Sequence, residues 1–271
     1  MKIIVSHDVD HLYGRDHWFR DLIYPKLCLR SLLLFLRKQI TLRECGLRLL
    51  SCFSRRRNCI DELMRFDRAN GVPSVFFFGM NQGLGMSYYP DEAKAMIKKV
   101  HDRGFDTGVH GIEYRDLKLI NAEYRRFGRL MGFGPCGIRM HYVRFDEDTF
   151  AFEEKCGYAF DSTEFDKEKG YTVKAPYKVG RMWEFPLTIM DGYLPQSYEA
   201  AKHRTLEILE QCRKSGVEYV SVLFHDNQFN NAYTDIRDWY IWLVNTINSS
   251  EKDTFISYGD AIRELEENNG R

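Results

Sequence analysis

The chain is 271 residues long, 44% of them hydrophobic, and its formal net charge at pH 7 is +0. This length is enough to bury a large core, either in one large domain or in two small ones. The balanced charge argues against a general nucleic-acid-binding protein, in which basic residues would predominate. Because no linker-like segment interrupts the sequence, we predict a single domain over residues 1–271.

Seven cysteines are scattered along the chain without a Cys-x-x-Cys pair. Their odd number and irregular spacing are not typical of a disulfide framework and favour free thiols in a reducing compartment. The sequence opens directly on a strand-like segment and lacks a signal-peptide pattern. The longest apolar run, residues 31–36, is much shorter than the roughly 20 residues of a spanning helix. We therefore expect a cytoplasmic protein.

Short strand-like runs alternate with segments of helical period. The predicted strands cover residues 2–6, 74–78, 106–110, 136–140, 158–162, 182–187, 219–224 and 254–258. The predicted helices cover about residues 58–70, 90–103, 118–131, 147–156, 198–215 and 233–249. This alternation implies parallel strands joined by crossover helices, and the number of units favours a closed or nearly closed β/α barrel over an open sheet.

One region, residues 24–57, interrupts the alternation after the first strand. It carries nine basic residues and one acidic residue, Glu44. Leucines and arginines recur at helical spacing, which predicts one or two inserted amphipathic helices. The segment could be a helical hairpin packed on the barrel with a solvated basic face. It could instead bind a membrane surface, an anionic ligand or a protein partner, since basic amphipathic helices bind anionic headgroups.

Titratable side chains follow four of the predicted strands at the same end. In β/α barrels the catalytic groups lie at the C-terminal ends of the strands. We therefore predict an active site built at this end from separate strands, with candidates His7, Asp8, Asp10, His11, His110, Glu113, Arg139, His141, His225, Asp226 and Asn227.

Asp8 and Asp10 point to the same side of an extended segment because they are two residues apart. Like charges this close raise one pKa unless a cation lies beside them. A divalent metal bound by one aspartate would leave the other as a general base. His110 adds an imidazole, and Glu113 shares its face if a helix begins after Gly111. Asp10, His110 and Glu113 are thus a candidate ligand set for Zn²⁺ or another divalent metal, although strand-end capping would also account for the acidic residues.

Other residues at these strand ends have candidate roles. His225 could be the general acid that protonates a leaving amine, and Arg139 could pair with Asp8 and keep it ionised. His141 is a candidate substrate-binding residue, although it could equally hydrogen-bond neighbouring loops. The aromatic candidates for stacking on a sugar are Tyr88, Tyr89, Trp183 and Tyr193. Two further residues are expected around the reacting groups, His11 and Asp161.

Five segments, taken together, resemble the polysaccharide deacetylases, the NodB-homology carbohydrate esterases. They are "SHDVDH", "GVHGIEY", "GIRMHYVRF", "MWEFPLTIMDG" and "VLFHDNQF", in the family's order and spacing over nearly the whole chain. The resemblance implies a distorted (β/α)7 barrel, here with a helical insertion after the first strand, and metal-dependent removal of acetyl groups from sugars. It points to an intracellular bacterial branch associated with surface-polysaccharide biosynthesis.

The resemblance also implies roles for individual residues. Asp8 matches the family's catalytic base and Asp10 its aspartate metal ligand. His110 matches the first histidine of the family's His-x-x-x-His ligand motif. Arg139 matches the arginine that tethers the base, and His225 matches the catalytic acid.

Two positions depart from the family's motifs. Tyr114 occupies the place of the second histidine ligand, so that either Glu113 replaces it or the metal site is weakened or lost. Met140 and His141 stand where the family's arginine motif contains a proline.

We accordingly predict a metal-dependent deacetylase that hydrolyses the acetamide or acetyl ester of an acetylated sugar or polysaccharide precursor. Three alternatives stay open. One is a catalytically silent sugar-binding barrel with a degenerate metal site, and another is a hydrolase of small non-sugar amides. The third is a membrane-peripheral scaffold that docks through residues 24–57. No nucleic-acid partner is expected.

Overall fold

The computed structural model describes residues 1–18, 22–54 and 57–269. Its strands are β1 (Lys2–Val9), β2 (Val75–Gly79), β3 (Asp106–Gly111), β4 (Ile138–Met140), β5 (Phe160–Asp161), β6 (Tyr177–Val179), β7 (Met182–Glu184), β8 (Leu187–Met190), β9 (Tyr219–Leu223) and β10 (Thr254–Phe255). Its α-helices are α1 (Ile23–Leu36), α2 (Leu42–Ser51), α3 (Ile60–Ala69), α4 (Pro90–Asp102), α5 (Leu117–Met131), α6 (Thr149–Cys156), α7 (Tyr198–Lys214), α8 (Thr234–Asn248) and α9 (Tyr258–Asn269).

The strands form one sheet in the order β6-β7-β5-β4-β3-β2-β1-β9-β8, and β10 pairs with the start of β1. β7 pairs in parallel with β5, whereas β8 pairs in parallel with β9. Only Phe185 and Pro186 separate β7 from β8, so residues 182–190 bring the two edges of the sheet together. If β7 and β8 are counted as one bent strand, the main parallel strands number seven: β1, β2, β3, β4, β5, β7–β8 and β9. The predicted distorted (β/α)7 barrel is confirmed.

Alternating side chains of the central strands form two apolar layers. Phe76 and Phe78 of β2 pack in the larger cluster, together with residues of the helices that surround the barrel. Phe77, between them, packs in a second cluster with Phe160 and Phe185. This alternation follows from the period of two residues in a strand. The strands are buried on both faces, which explains their nearly continuous apolar runs.

The main differences from the predicted elements lie at the C-terminus and in β6, neither of which the sequence analysis predicts. The predicted strand over residues 254–258 ends at Phe255, and Tyr258 begins the unpredicted helix α9. Ser257 Oγ accepts a hydrogen bond from the Asp260 amide at 3.0 Å and donates to its carboxylate at 2.8 Å. A serine followed three residues later by an acid is a helix-start signal.

The basic insertion folds as the two helices α1 and α2 and the turn between them, in line with the prediction of one or two helices. Thr41 caps α2: its hydroxyl accepts from the Glu44 amide at 3.1 Å, and the Glu44 carboxylate accepts from the Thr41 amide at 2.9 Å. This reciprocal pair satisfies two otherwise unpaired backbone donors. Within the described part of the chain, no helix combines the length and the apolar character needed to cross a bilayer.

Gly108 of β3 provides space for the aromatic layer inside the barrel. A Cβ atom at this position would lie 2.7 Å from the carbonyl oxygen of Gly137 and 2.7 Å from Cδ1 of Phe77. Both distances are below van der Waals contact, and one of the two atoms belongs to the backbone. The strand therefore needs glycine here for close approach rather than for an unusual backbone conformation.

We expect Gly108→Ala to lower the free energy of unfolding by about 1–3 kcal/mol because the added methyl overpacks the core. The measurement is the midpoint of urea unfolding followed by circular dichroism. Gly46→Ala is the matched control, since a Cβ at Gly46 of α2 meets nothing within 4 Å. That control should be neutral or stabilising by up to about 1 kcal/mol. Equal midpoints for the two variants would contradict this account of β3.

Candidate metal centre and active site

Neighbouring parallel strands place the predicted site residues at one end of the barrel. Asp8 lies near the end of β1 and Asp10 follows that strand directly. His110 of β3 is in register with Arg139 of β4. His7, the residue before Asp8, points to the other face of β1. Its ring contacts the Phe224 carbonyl at 2.8 Å and the Asp67 carboxylate at 2.9 Å.

Asp10, His110 and His141 form a compact group of metal-ligand donors. Asp10 Oδ1 lies 3.3 Å from His110 Nε2 and 3.3 Å from His141 Nδ1. The two ring nitrogens lie 3.0 Å from each other. Both rings are buried, and the carboxylate is half-buried. Among the described residues, these three form the single group of at least three such donors that lie within 4.8 Å of one another.

The opposite nitrogen of each ring contacts a main-chain carbonyl. His110 Nδ1 lies 2.9 Å from the Arg139 oxygen, and His141 Nε2 lies 3.1 Å from the Leu84 oxygen. A carbonyl only accepts hydrogen bonds, so each of these nitrogens carries the proton and donates. The other nitrogens, His110 Nε2 and His141 Nδ1, therefore face Asp10, and each presents a lone pair there when no proton or cation occupies it. Such carbonyl contacts fix the tautomer and orientation of metal-binding histidines.

The charges of this group shift its pKa values in opposite directions. Burial opposes ionisation of Asp10, but the hydrogen bonds and positive charge that His110 and His141 supply when protonated outweigh that effect and hold its pKa well below the ordinary value. Burial also opposes protonation of His110, but the carboxylates of Asp8 and Asp10 raise its pKa above the ordinary value. The group therefore attracts a positive charge, whether a proton or a metal cation.

Glu113, the third ligand predicted from the sequence, lies outside this group of donors. Its Oε1 accepts hydrogen bonds from the backbone amides of Tyr114 at 3.1 Å and Arg115 at 2.8 Å. No helix begins after Gly111, since α5 starts only at Leu117, and the spacing argument for Glu113 is therefore wrong. His141, predicted as a substrate-binding residue, stands in the donor group instead.

Asp8 is buried against Arg139, as the sequence suggested. Arg139 Nη1 lies 3.3 Å from Asp8 Oδ1 and donates to Ser6 Oγ at 2.6 Å. The rest of the fully buried guanidinium donates to the Ser162 carbonyl at 2.7 Å, to Ser162 Oγ at 2.9 Å and to Tyr258 OH at 3.3 Å. With its donors so occupied, Arg139 is rigid and holds Asp8 beside the metal-ligand group, where Asp8 Oδ2 lies 3.6 Å from His110 Nε2.

His225 also lies beside this group and is oriented by Asp191. Its Nδ1 donates to Asp191 Oδ1 at 2.6 Å, and its Nε2 lies 3.8 Å from Asp10 Oδ2. Asp191 Oδ2 also accepts from the His225 amide at 2.7 Å and from Gln228 Nε2 at 2.8 Å. Burial opposes protonation of His225, but Asp191, Asp10 and Asp8 together raise its pKa to about 10.

The sequence reasoning missed Asp191, although the signal was present. Asp191 follows the apolar strand β8 directly, and His225 comes two residues after the end of β9. The rule that selected the other strand-end residues applies to it as well. The predicted strand over residues 182–187 stops short of residues 188–190, so the strand end at Asp191 is not apparent from it.

Three other candidates lie behind or beside the centre. Trp183 is 4% exposed and packs in the inner aromatic cluster, and its indole N–H donates to Glu266 at 2.8 Å. Its burial does not support the predicted role in sugar binding. Asp161 accepts from the Thr163 amide at 3.0 Å, and burial raises its pKa to about 6 despite the nearby Arg139 charge. The His11 ring lies edge-on against His17, with centroids 4.5 Å apart.

Comparison with solved structures gives the fold a name. A protein assigned as a polysaccharide deacetylase from Mycobacterium smegmatis matches with a TM-score of 0.61 and 16% identity, over 97% of this chain and 89% of that chain. Another, from Pseudomonas aeruginosa PAO1, gives a TM-score of 0.56 and 15% identity over 76% and 72% of the two chains. This chain has the fold of the polysaccharide deacetylases. The resemblance stated from the sequence is confirmed at the level of the fold.

A protein with a different activity in its name has a similar structure. The Puue allantoinase matches with a TM-score of 0.60 and 14% identity, over 96% of this chain and 89% of that chain. At such low identities the polysaccharide-deacetylase fold alone does not select a substrate. Neither a family model nor a curated protein matches the sequence. The choice of function therefore depends on the geometry of the site.

Glu123 of α5 lies beneath the loop that follows β3 and is almost fully buried. Its two carboxylate oxygens lie 3.3 and 3.2 Å from the Ile112 amide, which donates to them. Burial raises the pKa of Glu123 to about 7, although the amide hydrogen bonds and Arg126 oppose the increase. The folded protein therefore keeps this proton at pH values where the unfolded chain has lost it.

We expect the free energy of unfolding to decrease as the pH rises from about 4.5 to about 7, because only the unfolded state releases the Glu123 proton in that window. Glu123→Gln removes this contribution. Between pH 5 and pH 8 the wild type should lose on the order of 2 kcal/mol more stability than the variant. Urea unfolding of both proteins at the two pH values measures the difference. Parallel losses in both proteins would show that Glu123 is ionised in the folded state.

Proposed function

We propose that this protein is a metal-dependent deacetylase of acetylated carbohydrates, and that Asp10, His110 and His141 hold its metal ion. The observation that carries the proposal is the pair of ring lone pairs that meet beside the Asp10 carboxylate. Asp8 and His225 both lie beside this group: Asp8 Oδ2 is 3.6 Å from His110 Nε2, and His225 Nε2 is 3.8 Å from Asp10 Oδ2. Metal-assisted amide hydrolysis uses a base that takes a proton from the attacking water and an acid that protonates the leaving nitrogen, both close to the metal ligands.

The donor set fits a catalytic zinc ion. Two imidazole nitrogens and one carboxylate oxygen are a known ligand combination for catalytic zinc, with bonds of about 2.0–2.2 Å. Tetrahedral ligands at those bond lengths lie about 3.3 Å apart, and the three donor pairs here are separated by 3.0, 3.3 and 3.3 Å. Asp10 Oδ1 is buried and accepts no hydrogen bond from the described residues, so it is available to a cation.

His141 supplies the imidazole that the first histidine motif lacks. Tyr114 stands where the resemblance implies the second histidine ligand, and Met140 and His141 stand where the family's arginine motif contains a proline. The two departures therefore compensate each other: the second imidazole comes from the segment after β4 instead of the segment after β3. On this proposal the metal site is rebuilt with a different residue rather than lost, which argues against a silent sugar-binding barrel.

When bound, the divalent cation, for which we propose Zn²⁺, lowers the pKa of water and polarises the acetyl carbonyl. Asp8, oriented by Arg139, accepts the proton of the attacking water. His225, which donates its Nδ1 proton to Asp191, gives its Nε2 proton to the leaving nitrogen. Acetate and an amino sugar are released. Asp191 acts as a positioning residue because it fixes the orientation and the charge of the His225 ring.

A hydrolase of small non-sugar amides is the second candidate, and the similarity to the Puue allantoinase favours it. The same base, acid and ligands would serve that reaction. A panel that contains N-acetylated sugars and small cyclic amides distinguishes the two. The cytoplasmic location, the role in surface-polysaccharide synthesis and the single-domain organisation stay predictions.

Removing the His141 imidazole should weaken zinc binding by more than about tenfold, since loss of even a residue that supports a ligand has that effect. Glu113→Ala should bind zinc like the wild type. Competition with a chromophoric chelator measures the affinity of each purified variant. His203→Ala is the matched control, because that side chain is 77% exposed on α7. Weakened binding in Glu113→Ala with normal binding in His141→Ala would restore the ligand set predicted from the sequence.

Asp8→Asn should lower kcat for acetate release by about 10²–10⁴-fold, because the amide cannot accept a proton from water. The variant should keep its zinc, since Asp8 is not one of the three proposed ligands. Acetate released from N-acetylated oligosaccharides gives the rate, and elemental analysis gives the zinc content. Turnover within tenfold of the wild type, with zinc bound, would refute the role of Asp8 as the base.

A further inference from the structure

The outer face of the inserted helices is apolar and exposed. We call residues 22–54 the α1–α2 hairpin. Four leucines of α1 recur at spacings of three and four residues, which places them on one face: Leu29, Leu32, Leu33 and Leu36 are 61, 46, 43 and 74% exposed. The segment of α2 adds three more exposed apolar side chains, Leu42, Leu50 and Phe53.

The inner face of α1 already packs against the protein. Tyr24 and Ser31 are fully buried, and they lie on the side of the helix opposite to the exposed leucines. A surface helix ordinarily carries polar residues on its outer face. Helix α1 instead has apolar residues on both sides, and a contiguous exposed patch of this kind marks an interaction surface.

Basic residues border this apolar face. The α1–α2 hairpin has six basic residues and one acidic residue, in a chain whose net charge is +0. Lys26, Arg30 and Arg37 are spaced by four and seven residues, so they form a row along one side of the leucines. No ion pair joins Arg30 or Arg37 to any residue that the structure describes. The acidic residue, Glu44, caps the start of α2.

This combination of charge and apolar surface selects the partner. An anionic bilayer offers phosphates to the basic row and acyl chains to the leucines, as amphipathic interfacial helices require. A second copy of the chain would meet the same surface across a two-fold axis and bring the basic rows together. A membrane therefore complements the face, and a symmetric dimer does not.

The α1–α2 hairpin also forms one wall of the entrance to the active site. A cavity of about 340 Å³ lies between Leu27 and Arg30 of α1 on one side and Asp191 and His225 on the other. Arg48 of α2 donates to the Ala232 carbonyl at 2.7 Å, which fixes the hairpin to the rim of the barrel. A membrane against the outer face of the hairpin would thus lie next to the cavity that leads to His225.

We propose that the α1–α2 hairpin docks on anionic membranes and that the substrate is an acetylated glycan attached through a phosphate to a lipid. The second half of this statement rests on the proposed deacetylase function, whereas the first half does not. Helix α1 lies in the interface with its leucines among the acyl chains, and the cavity receives the sugar from the membrane surface.

Vesicle flotation of the full chain tests the docking surface. The protein should float with phosphatidylglycerol-containing vesicles and remain below with pure phosphatidylcholine vesicles. The variant Leu29→Ser/Leu33→Ser/Leu36→Ser should lose at least about tenfold in binding, because three exposed leucines that would insert among the acyl chains are removed. Leu119→Ser/Leu206→Ser is the matched control, since these leucines are 48 and 47% exposed on α5 and α7, and it should float like the wild type.

Three results would overturn the docking proposal. The first is that the wild type does not float with either kind of vesicle. The second is a dimer in light scattering that the triple variant converts to a monomer, which would show that a second copy covers the face. The third is retained binding by the triple variant, which would place the contact elsewhere on the protein.

The substrate is tested by comparing two acetylated probes at equal concentration. One is a free N-acetylhexosamine, and the other is the same sugar joined by a phosphodiester to a lipid in anionic vesicles. The wild type should turn over the tethered sugar at least about tenfold faster, because enzyme and substrate bound to the same vesicle have a higher effective concentration. The triple variant should lose that advantage and keep its rate on the free sugar. Equal rates for the wild type would refute the lipid-linked substrate, whereas no turnover of either probe would refute the deacetylase function and leave the flotation result standing.

Discussion

The arrangement of the site depends on one electrostatic constraint: two imidazole lone pairs and a carboxylate oxygen converge on the same small volume. His110 Nε2 and His141 Nδ1 are 3.0 Å apart, and Asp10 Oδ1 is 3.3 Å from each. Because the opposite nitrogen of each ring donates to a carbonyl, neutral rings would repel each other here. A proton or a divalent cation removes that repulsion, so metal binding should compete with protonation of His110.

The surrounding structure holds these groups in position from several elements. Parallel register brings His110 beside Arg139, and the Arg139 carbonyl orients the His110 ring. His141 is oriented by the carbonyl of Leu84, a residue in the left-handed conformation with φ of 55°. Tyr142 also has a positive φ, at 58°. Strained backbone of this kind is concentrated at functional sites, and here it occurs on both sides of one proposed ligand.

The sequence was sufficient for the barrel and for most of the strand-end residues, because both depend on local patterns. Short, nearly continuous apolar runs located most of the strands, and the barrel rule located Asp8, Asp10, His110, Arg139 and His225. The sequence was insufficient to identify the third proposed metal ligand. Choosing between Glu113 and His141 requires the path of two loops in space, which spacing along the chain does not contain. The burial of Trp183 could not be predicted either, since an aromatic residue in a short strand is equally compatible with the core and with a surface on which a sugar stacks.

X-ray absorption at the zinc K edge of the zinc-loaded protein tests the central claim most directly, because multiple scattering from imidazole rings counts the histidine ligands. Ligation by Asp10, His110 and His141 predicts two imidazoles with oxygen ligands at about 2.0–2.2 Å. A spectrum with one imidazole and additional carboxylate oxygens would contradict the account, since His110 would then bind zinc with Glu113 or another acid in place of His141.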